Sequence, residues 1–489
     1  MSAVMWFRRD LRLRDNPALL SAVAAAGSDQ EVVPLFVLDP GLSKPAGLPR
    51  RAYLAASLKD LGARVGGLQL RRGDPAAEVV AVAAGASATS VHIAADFGPR
   101  GRARDQQVES ALAAHGIKLV RAGSPYAVPP GQVRTRTGDP YQVFTPYSRA
   151  WRDHGWTAAA MAPRGVRWIR PLPSHRLETE QVPGRLALPA AGERAAHLRW
   201  HDFLDRGLDH YAGARDRPDL DGTSRMSVHL KWGEIHPRTM LADLARRPGP
   251  GALAYAAELA WREFYADVLW ARPDSARQYL RAEFARMQYD EPGLALKAWC
   301  DGLTGYPIVD AGMRQLQAEG WMHNRIRMVV ASFLVKDLHI EWRYGARHFM
   351  NCLLDADLAS NQHGWQWVAG CGTDAAPYFR VFNPTLAGKR FDPHGDYVRR
   401  YVPQLAEVGE KWIHQPWTLS GGHRAATRPR SSTMTTSGGS HCDVWQSCGP
   451  SQGPAAGRTL GRAGQGPDLR PRGAAVGWRL VLATPASAR

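Results

Sequence analysis

Short apolar runs alternate with helical patterns over the first 125 residues. Five runs are too short and too uniformly apolar for surface helices, and they predict strands at Ala3–Phe7, Val32–Leu38, Gln69–Arg71, Val91–Ala94 and Ile117–Val120. Between them, Asn16 before Pro17 and Asp74 before Pro75 each place a capping side chain ahead of a proline at a first helical position. Because parallel strands need long crossover connections, the repeated unit predicts an α/β domain over residues 1–125, a doubly wound parallel sheet covered by helices.

Prolines are frequent in the next segment, residues 126–195, and long periodic stretches are few. This composition predicts an interdomain connector that runs over the surface. From residue 196 to residue 417 the apolar positions recur with helical spacing, which predicts an all-α domain.

Two helical segments of this second domain carry chemically mixed faces. One segment places a carboxylate, an indole, a guanidinium and a phenol on one face: Glu258, Trp261, Arg262 and Tyr265. Another places an amide, a guanidinium and a thioether together: Asn324, Arg327 and Met328. A core would avoid such polar groups unless each found a partner, so the two faces together predict the lining of a cavity.

The charge of the chain and its tryptophans narrow the function. The formal net charge is +17, which favours a polyanionic partner such as nucleic acid. Seventeen tryptophans are present, and 11 of them lie between residues 196 and 417. Indoles pack in helical cores, but they also stack on bases or flavins and carry electrons.

Other classes of protein are not favoured by the composition. The cysteines, at positions 300, 352, 371, 442 and 448, form no CxxC pair, so no metal site is expected. No apolar run approaches the roughly 20 residues that span a bilayer, and the N-terminus lacks a signal-peptide core. We therefore expect a cytoplasmic protein that does not bind membranes.

Seven motifs follow one another within residues 3–417: Trp6–Pro17, Glu258–Tyr265, Gly305–Asp310, Trp321–Met328, Asp355–Trp367, Gly372–Arg380 and Phe382–Pro384. In this order they resemble the photolyase/cryptochrome family, and within it the class I enzymes that act on cyclobutane pyrimidine dimers. The resemblance implies an α/β antenna domain, a connector and a helical domain that binds FAD.

The resemblance also implies roles for particular residues. The FAD-binding residues would be Tyr211, Thr223, Ser224, Arg225, Met226, Ser227, Arg262, Arg327, Asp355, Asp357 and Asn361. The catalytic residues at a flipped-out pyrimidine dimer would be Glu258, Asn324, Trp261, Trp367 and Met328. Arg325, Lys389 and Arg390 would contact DNA phosphates.

Three alternatives for the activity follow from these residues. The first is light-driven repair of cyclobutane dimers by electron transfer from excited reduced FAD. The second is a cryptochrome-like photoreceptor without repair activity, and the third is a basic DNA-binding module that has lost its flavin. Asn361 stands where plant-type cryptochromes carry Asp, which favours repair. The Thr223–Ser227 and Asp355–Asn361 runs are intact, which speaks against loss of flavin.

This chain departs from the family in three places. Trp365 and Trp342 match the first two members of the photoreduction chain, but Tyr289 stands at the third, where the family carries Trp. Gly101 stands where folate-binding members carry Glu, so a deazaflavin antenna near Arg9, Asp10 and Asp39, or no antenna, is expected instead of folate.

The third departure is the tail, residues 418–489. It contains nine Arg and two Asp but no Lys or Glu, and it is rich in Gly and Ser. It is predicted either to be disordered or to be translated out of frame. We expect the protein to be a monomer.

Overall fold

The computed structural model describes residues 2–178, 186–374 and 381–419. From residue 420 onward, the predicted tail lies outside the described residues, and so do residues 375–380 of the Gly372–Arg380 motif.

The first part of the chain is a parallel sheet with the order β3-β2-β1-β4-β5. Its strands are β1 Ser2–Trp6, β2 Glu31–Leu38, β3 Gln69–Arg72, β4 Ser90–Ile93 and β5 Lys118–Arg121. Each coincides with a predicted strand to within one residue. The chain leaves β1 for β2 and β3 on one side and returns for β4 and β5 on the other, so the predicted doubly wound α/β fold is confirmed.

The helices of this part begin where the capping residues predict. α1 (Pro17–Ala25) starts after Asn16, whose side chain accepts a hydrogen bond from the Leu19 N–H at 3.2 Å. Asp74 caps α4 (Pro75–Gly85) in the same way through the Ala77 N–H at 3.0 Å. The other helices here are α2 Pro40–Ser43, α3 Leu48–Arg64 and α5 Pro99–Ala113, and separate apolar clusters cover the two faces of the sheet.

The predicted connector contains regular structure that the sequence did not predict. α6 (Phe144–His154) buries Tyr147 and Trp151 in the helical core, and β6 (Arg167–Trp168) pairs with the start of β2. The buried carboxylate of Glu263 accepts hydrogen bonds from the indole of Trp151 at 2.6 Å and from two backbone N–H groups of residues 127 and 128. These contacts attach the segment to both parts of the molecule.

The second part is helical, as predicted. Its helices are α7 Glu193–Arg206, α8 Tyr211–Ala214, α9 Ser227–Trp232, α10 Pro237–Arg246, α11 Pro250–Ala271, α12 Gly293–Asp301, α13 Pro307–Glu319, α14 Asn324–Ser332, α15 Trp342–Cys352, α16 Leu358–Ala369, α17 Pro384–Phe391 and α18 Asp396–Tyr401. A π-helical turn, Phe333–Asp337, follows α14. None of the helices in the described ranges is both long and apolar enough to cross a bilayer.

The loop after β1 joins the sheet to the helical part. Gly233 adopts φ +67°, and a Cβ there would lie 1.9 Å from the carbonyl oxygen of Arg9, so the close approach requires glycine. Glu234, which is fully buried, accepts hydrogen bonds from the Tyr53 hydroxyl at 2.9 Å and from the Gly192 N–H at 2.8 Å. The carboxyl end of β1 is thereby held against the helices that form the site.

Candidate active site

One cavity of about 500 Å³ lies among the helices of the second part, lined mainly by α11, α14, α16 and the segment before α9. All the residues predicted to bind the cofactor line it: Tyr211, Thr223, Ser224, Arg225, Met226, Ser227, Arg262, Arg327, Asp355, Asp357 and Asn361. All the predicted catalytic residues line it too: Glu258, Asn324, Trp261, Trp367 and Met328. Residues more than 150 positions apart in the chain therefore share one site.

The run Thr223–Ser227 forms a backbone concavity. Arg225 has φ +54°, in the left-handed region, and Met226 is right-handed helical, a succession that points neighbouring N–H groups to one side and suits an anion. Glu319 holds the Arg225 guanidinium at 2.8 Å, over the ring of Trp321. A left-handed backbone conformation is unfavourable for arginine, so its presence at Arg225 fits a ligand-binding role.

A buried group of charges lies at the floor of the cavity. Asp357 pairs with Arg9 at 2.7 Å and caps α16 through the Ser360 N–H at 3.1 Å. Burial opposes ionisation, but Arg9, Lys231 and Arg262 together lower the pKa of Asp357 far below its usual range. Burial, reinforced by the charge of Arg9, lowers the pKa of Lys231 to about 7. Lys231 lines the cavity and was missed by the sequence analysis, because it stands on a short helix without a periodic signal.

Two buried polar atoms on the cavity wall have no partner within the described residues. Arg327 holds one oxygen of Asp355 at 2.8 Å, whereas Oδ1 of Asp355 is buried without a hydrogen bond. Nδ1 of His323 accepts from the Arg325 N–H, and burial lowers the pKa of His323 to about 4, so Nε2 carries the hydrogen of a neutral ring. This Nε2 is also buried without a partner. An unsatisfied acceptor and an unsatisfied donor in one wall fit a polar cofactor.

Asn361 is oriented by its neighbours. Its Nδ2 donates to the Ala346 carbonyl oxygen at 3.1 Å and to Oε1 of Gln362 at 2.8 Å. Gln362 is fixed in turn, because its own Nε2 donates to the carbonyl oxygen of Ala276 at 2.7 Å. The amide nitrogen of Asn361 is thus used within the protein, and its oxygen is left to accept a hydrogen bond from a ligand.

At the other side of the cavity, Glu258 pairs with Arg215 at 2.8 Å, and 40 % of the Glu258 side chain remains accessible from the cavity. Burial by the surrounding walls raises the pKa of Glu258, while Arg215 opposes the shift. Asp216 pairs with Arg325 at 2.6 Å. Arg215 and Asp216 come from the loop after α8, where no periodicity marked them.

The wall beside Glu258 is aromatic. Trp261 stacks on Phe144 with ring centroids 3.7 Å apart and an angle of 8° between the planes. Phe144 begins α6 in the proline-rich segment, which is why sequence periodicity missed it. Met328 lies 3.5 Å from the Arg325 guanidinium through its sulfur, and Trp367 is half-buried on α16. Flat apolar walls with a few polar groups suit a planar, heteroaromatic ligand.

The predicted electron-transfer residues are only partly brought together. Trp365 lines the cavity, and Trp342 is completely buried on the neighbouring helix α15. The ring of Trp342 contacts Tyr279, with centroids 6.0 Å apart, whereas the ring of Tyr289 contacts His339 at 5.4 Å.

The predicted DNA-binding residues lie at and beside the cavity. Arg325 lines both this cavity and a neighbouring pocket of about 330 Å³ that also includes Arg390. Lys389 precedes Arg390 near the end of α17, and its Nζ donates to Oε1 of Gln415 at 3.1 Å. The three cations are therefore near the cavity, with Arg325 at its edge.

Comparison with known proteins agrees with this geometry. A family model described as DNA photolyase matches residues 3–164, and one described as the FAD binding domain of DNA photolyase matches residues 255–435. A deoxyribodipyrimidine photo-lyase of Streptomyces griseus is 44% identical over 439 residues, which cover 86% of this chain and 94% of that protein.

Two solved structures extend the similarity. A class III photolyase from Agrobacterium tumefaciens superimposes with a TM-score of 0.83 at 33% identity, over 91% of this chain and 97% of that one. A photolyase from Sulfolobus tokodaii, solved with two FAD molecules, gives a TM-score of 0.79 at 26% identity, over 91% and 100% of the two chains. The sheet, the helical cavity and these matches over most of the chain lead to one conclusion: the protein belongs to the DNA photolyase family.

Proposed function

We propose that this protein repairs cyclobutane pyrimidine dimers in DNA, as a light-driven deoxyribodipyrimidine photo-lyase. The observation that carries the proposal is that one cavity has two parts. One part is charged and suits a cofactor, and the other is aromatic, contains a carboxyl and an amide, and suits two linked pyrimidines. The relatives at 36–44% identity bear the name of this enzyme, which disfavours a photoreceptor without repair activity.

FAD is the cofactor that the family implies, and the charged part of the cavity fits it. The concavity at Thr223–Ser227 would hold the diphosphate, and the partnerless atoms of Asp355 and His323 would bond polar groups of the cofactor. Asn361 would accept a hydrogen bond from the flavin ring through its oxygen. Bound FAD supplies the light-absorbing electron donor, whereas the protein supplies position, charge and exclusion of water.

The aromatic part would receive the two linked pyrimidines after they leave the duplex. Trp261, Trp367 and Met328 would pack on their faces, and Asn324 would bond their polar edges. Burial raises the pKa of Glu258 while Arg215 opposes the shift, and the carboxyl would hydrogen-bond the polar edges of the pyrimidines. Arg215 must share the Glu258 carboxyl with this substrate, or release it on binding.

For an antenna, we propose a deazaflavin rather than a folate. A Cβ at Gly101 would lie 2.1 Å from Cγ of Asp96, so the glutamate that folate-binding members carry would require the Asp96 side chain to move. Of the residues expected near a deazaflavin, Arg9 is engaged by Asp357, and Asp39 caps α2 through the Gly41 N–H at 2.7 Å. Asp10 keeps one carboxylate oxygen buried and without a partner in the described part of the chain.

The test distinguishes residues that contact the lesion from residues that bind the cofactor. Purified Glu258→Ala and Asn324→Ala variants are expected to retain flavin absorption but to repair dimer-containing oligonucleotide under blue light much less efficiently than the unmodified protein. Glu291→Ala, which removes an exposed glutamate outside the cavity, is the matched control. Equal repair by all three variants would exclude these lesion contacts, and no repair by the unmodified protein would favour a photoreceptor.

A further inference from the structure

Tyr279 contacts Trp342, the fully buried member of the predicted electron-transfer pair Trp365 and Trp342. Its ring meets that of Trp342 nearly at right angles, with centroids 6.0 Å apart. Tyr279 is 6 % exposed and interacts closely enough with Tyr289 for each phenol to influence the pKa of the other. Tyr289 is only half-buried, so Tyr279 is the enclosed member of the pair.

The indole N–H of Trp342 faces no proton acceptor in the described part of the chain. Its Nε1 is buried and has no hydrogen-bond partner within the described residues. An oxidised Trp342 would therefore keep its N–H proton and its positive charge, and it would remain a strong oxidant. The cation of Arg343, whose Cζ lies 5.9 Å from the centre of the Trp342 ring, makes this charge still less favourable.

Tyr279, in contrast, has a proton acceptor in place. Its hydroxyl donates a hydrogen bond of 2.9 Å to Oε1 of Glu341, and Nη1 of Arg343 lies 2.9 Å from the same oxygen. Burial, Tyr289 and Glu341 raise the pKa of Tyr279 well above its usual range, so the phenol keeps its proton until it is oxidised. Arg343 also lies 4.9 Å over the Tyr279 ring and disfavours a positively charged phenol radical. Loss of an electron from Tyr279 is therefore coupled to loss of its proton.

We propose that Tyr279 is the electron donor to Trp342 during light-driven reduction of the flavin, and that Glu341 accepts the phenol proton. The inference rests on the proposed function, with FAD as the cofactor, and on Trp365 and Trp342 as the first two members of the photoreduction chain that the family resemblance implies. A flavin held in the cavity would accept an electron from Trp365, which Trp342 would then replace. One electron then passes from Tyr279 to oxidised Trp342 and the O–H bond of Tyr279 breaks. Its proton goes to Glu341 Oε1, which leaves neutral Trp342, a neutral tyrosyl radical and a protonated Glu341.

The experiment follows radicals after a light flash on the full-length holoenzyme with oxidised FAD. Transient absorption and electron paramagnetic resonance distinguish tryptophanyl from tyrosyl radicals, and solvent deuterium reports whether the proton moves with the electron. The variants are Tyr279→Phe, Glu341→Gln and Tyr289→Phe. Tyr344→Phe, on the same helix as Trp342 and 37 % exposed, is the control. Flavin absorption and melting temperature establish that each variant is folded.

The unmodified protein should form a tyrosyl radical with a solvent isotope effect on its rise. Tyr279→Phe should abolish that signal and prolong the tryptophanyl radical at least about tenfold, Glu341→Gln should slow tyrosyl formation about tenfold, and Tyr344→Phe should change nothing. A normal tyrosyl signal in Tyr279→Phe that disappears in Tyr289→Phe would overturn the proposal, because Trp342 would then be refilled by Tyr289.

A route through Trp299 would also overturn it. Trp299 contacts Trp365 with ring centroids 6.0 Å apart, and its Nε1 donates to the Val330 carbonyl oxygen at 3.0 Å. Loss of long-lived radicals in Trp299→Phe, with normal signals in Tyr279→Phe, would identify that route. If the unmodified protein forms no tryptophanyl radical, the photoreduction chain through Trp365 and Trp342 fails together with this inference. Dimer repair by chemically reduced enzyme tests the proposed function separately.

Discussion

Gly345 is a position where even a single methyl group should disturb the site. It lies on α15, one turn after Trp342, and faces the indole of Trp365 across the contact between α15 and α16. A Cβ at Gly345 would stand 2.1 Å from Cη2 and 2.5 Å from Cζ3 of Trp365. We predict that Gly345→Ala displaces this indole.

The size of the effect follows from the packing. The indole must retreat by about 1.3 Å to restore the roughly 3.4 Å of ordinary contact, and it is only 3 % exposed. Its other ring neighbours, Trp299 and Phe349, are buried too, so the free direction is the cavity. Overpacking typically costs about 1–3 kcal/mol, and the better helix propensity of alanine offsets about 0.5–1 kcal/mol. The difference spans about 0–2.5 kcal/mol, and because the indole is closely confined we expect a net loss of about 1–2 kcal/mol.

Thermal unfolding and flavin retention measure this prediction. At about 2–4 °C per kcal/mol for a unit of the size of the helical part, the melting temperature of that part should fall by about 2–8 °C. The bound flavin should decrease because Trp365 moves into its space. Gly213→Ala on α8 is the matched control, since a Cβ there meets nothing within 4 Å. It should leave stability unchanged or raise it by up to about 1 kcal/mol. If the two alanine variants melt and bind flavin alike, the steric reasoning is wrong.

Three other predictions concern charge and burial. Burial raises the pKa of Asp337 to about 7, so the folded protein holds a proton there that the unfolded chain releases above about pH 4. The stability that this bound proton provides is lost as the pH rises through 7. In denaturant titrations, the free energy of unfolding of Asp337→Asn, relative to that of the unmodified protein, should therefore rise by on the order of 1–3 kcal/mol between pH 5 and pH 8. Glu263→Ala should cost at least about 3 kcal/mol in the same assay, because its three buried donors lose their acceptor. Lys389→Ala with Arg390→Ala should reduce the log–log salt slope of DNA binding by about 0.9 for each lost phosphate contact, and an unchanged slope would exclude both residues.

Local signals in the sequence were sufficient for the five strands of the parallel sheet, for the caps of two helices and for two faces of the cavity. Strands such as Val32–Leu38 and the caps at Asn16 and Asp74 depend on neighbouring residues, which the pattern displays directly. Helical spacing likewise placed Glu258 and Trp261 on one face, and the structure brings both into the cavity. The resemblance supplied the pairing of distant motifs, such as Arg327 with Asp355, that spacing alone does not contain.

Sequence analysis did not predict the contacts that join distant parts of the chain. Phe144 stacks on Trp261 from within a segment whose prolines suggested only a connector, and Arg215 reaches Glu258 from a loop without periodicity. The same limit applies to electron transfer, because spacing in the sequence does not record that the ring of Tyr279 contacts that of Trp342, and Tyr289 as the third member of the chain stays a prediction.

The sequence by itself determined the five strands of the parallel sheet, the capping of α1 and α4, and two faces that line the cavity, because each depends on residues within a few positions of one another. Only the tertiary structure decided which charged side chains pair with each other. Arg9 reaches Asp357 across 348 positions, and together with Lys231 and Arg262 it holds that carboxylate ionised in a buried site. Such pairings arise from how packed elements meet in space, and no local pattern of residues records them.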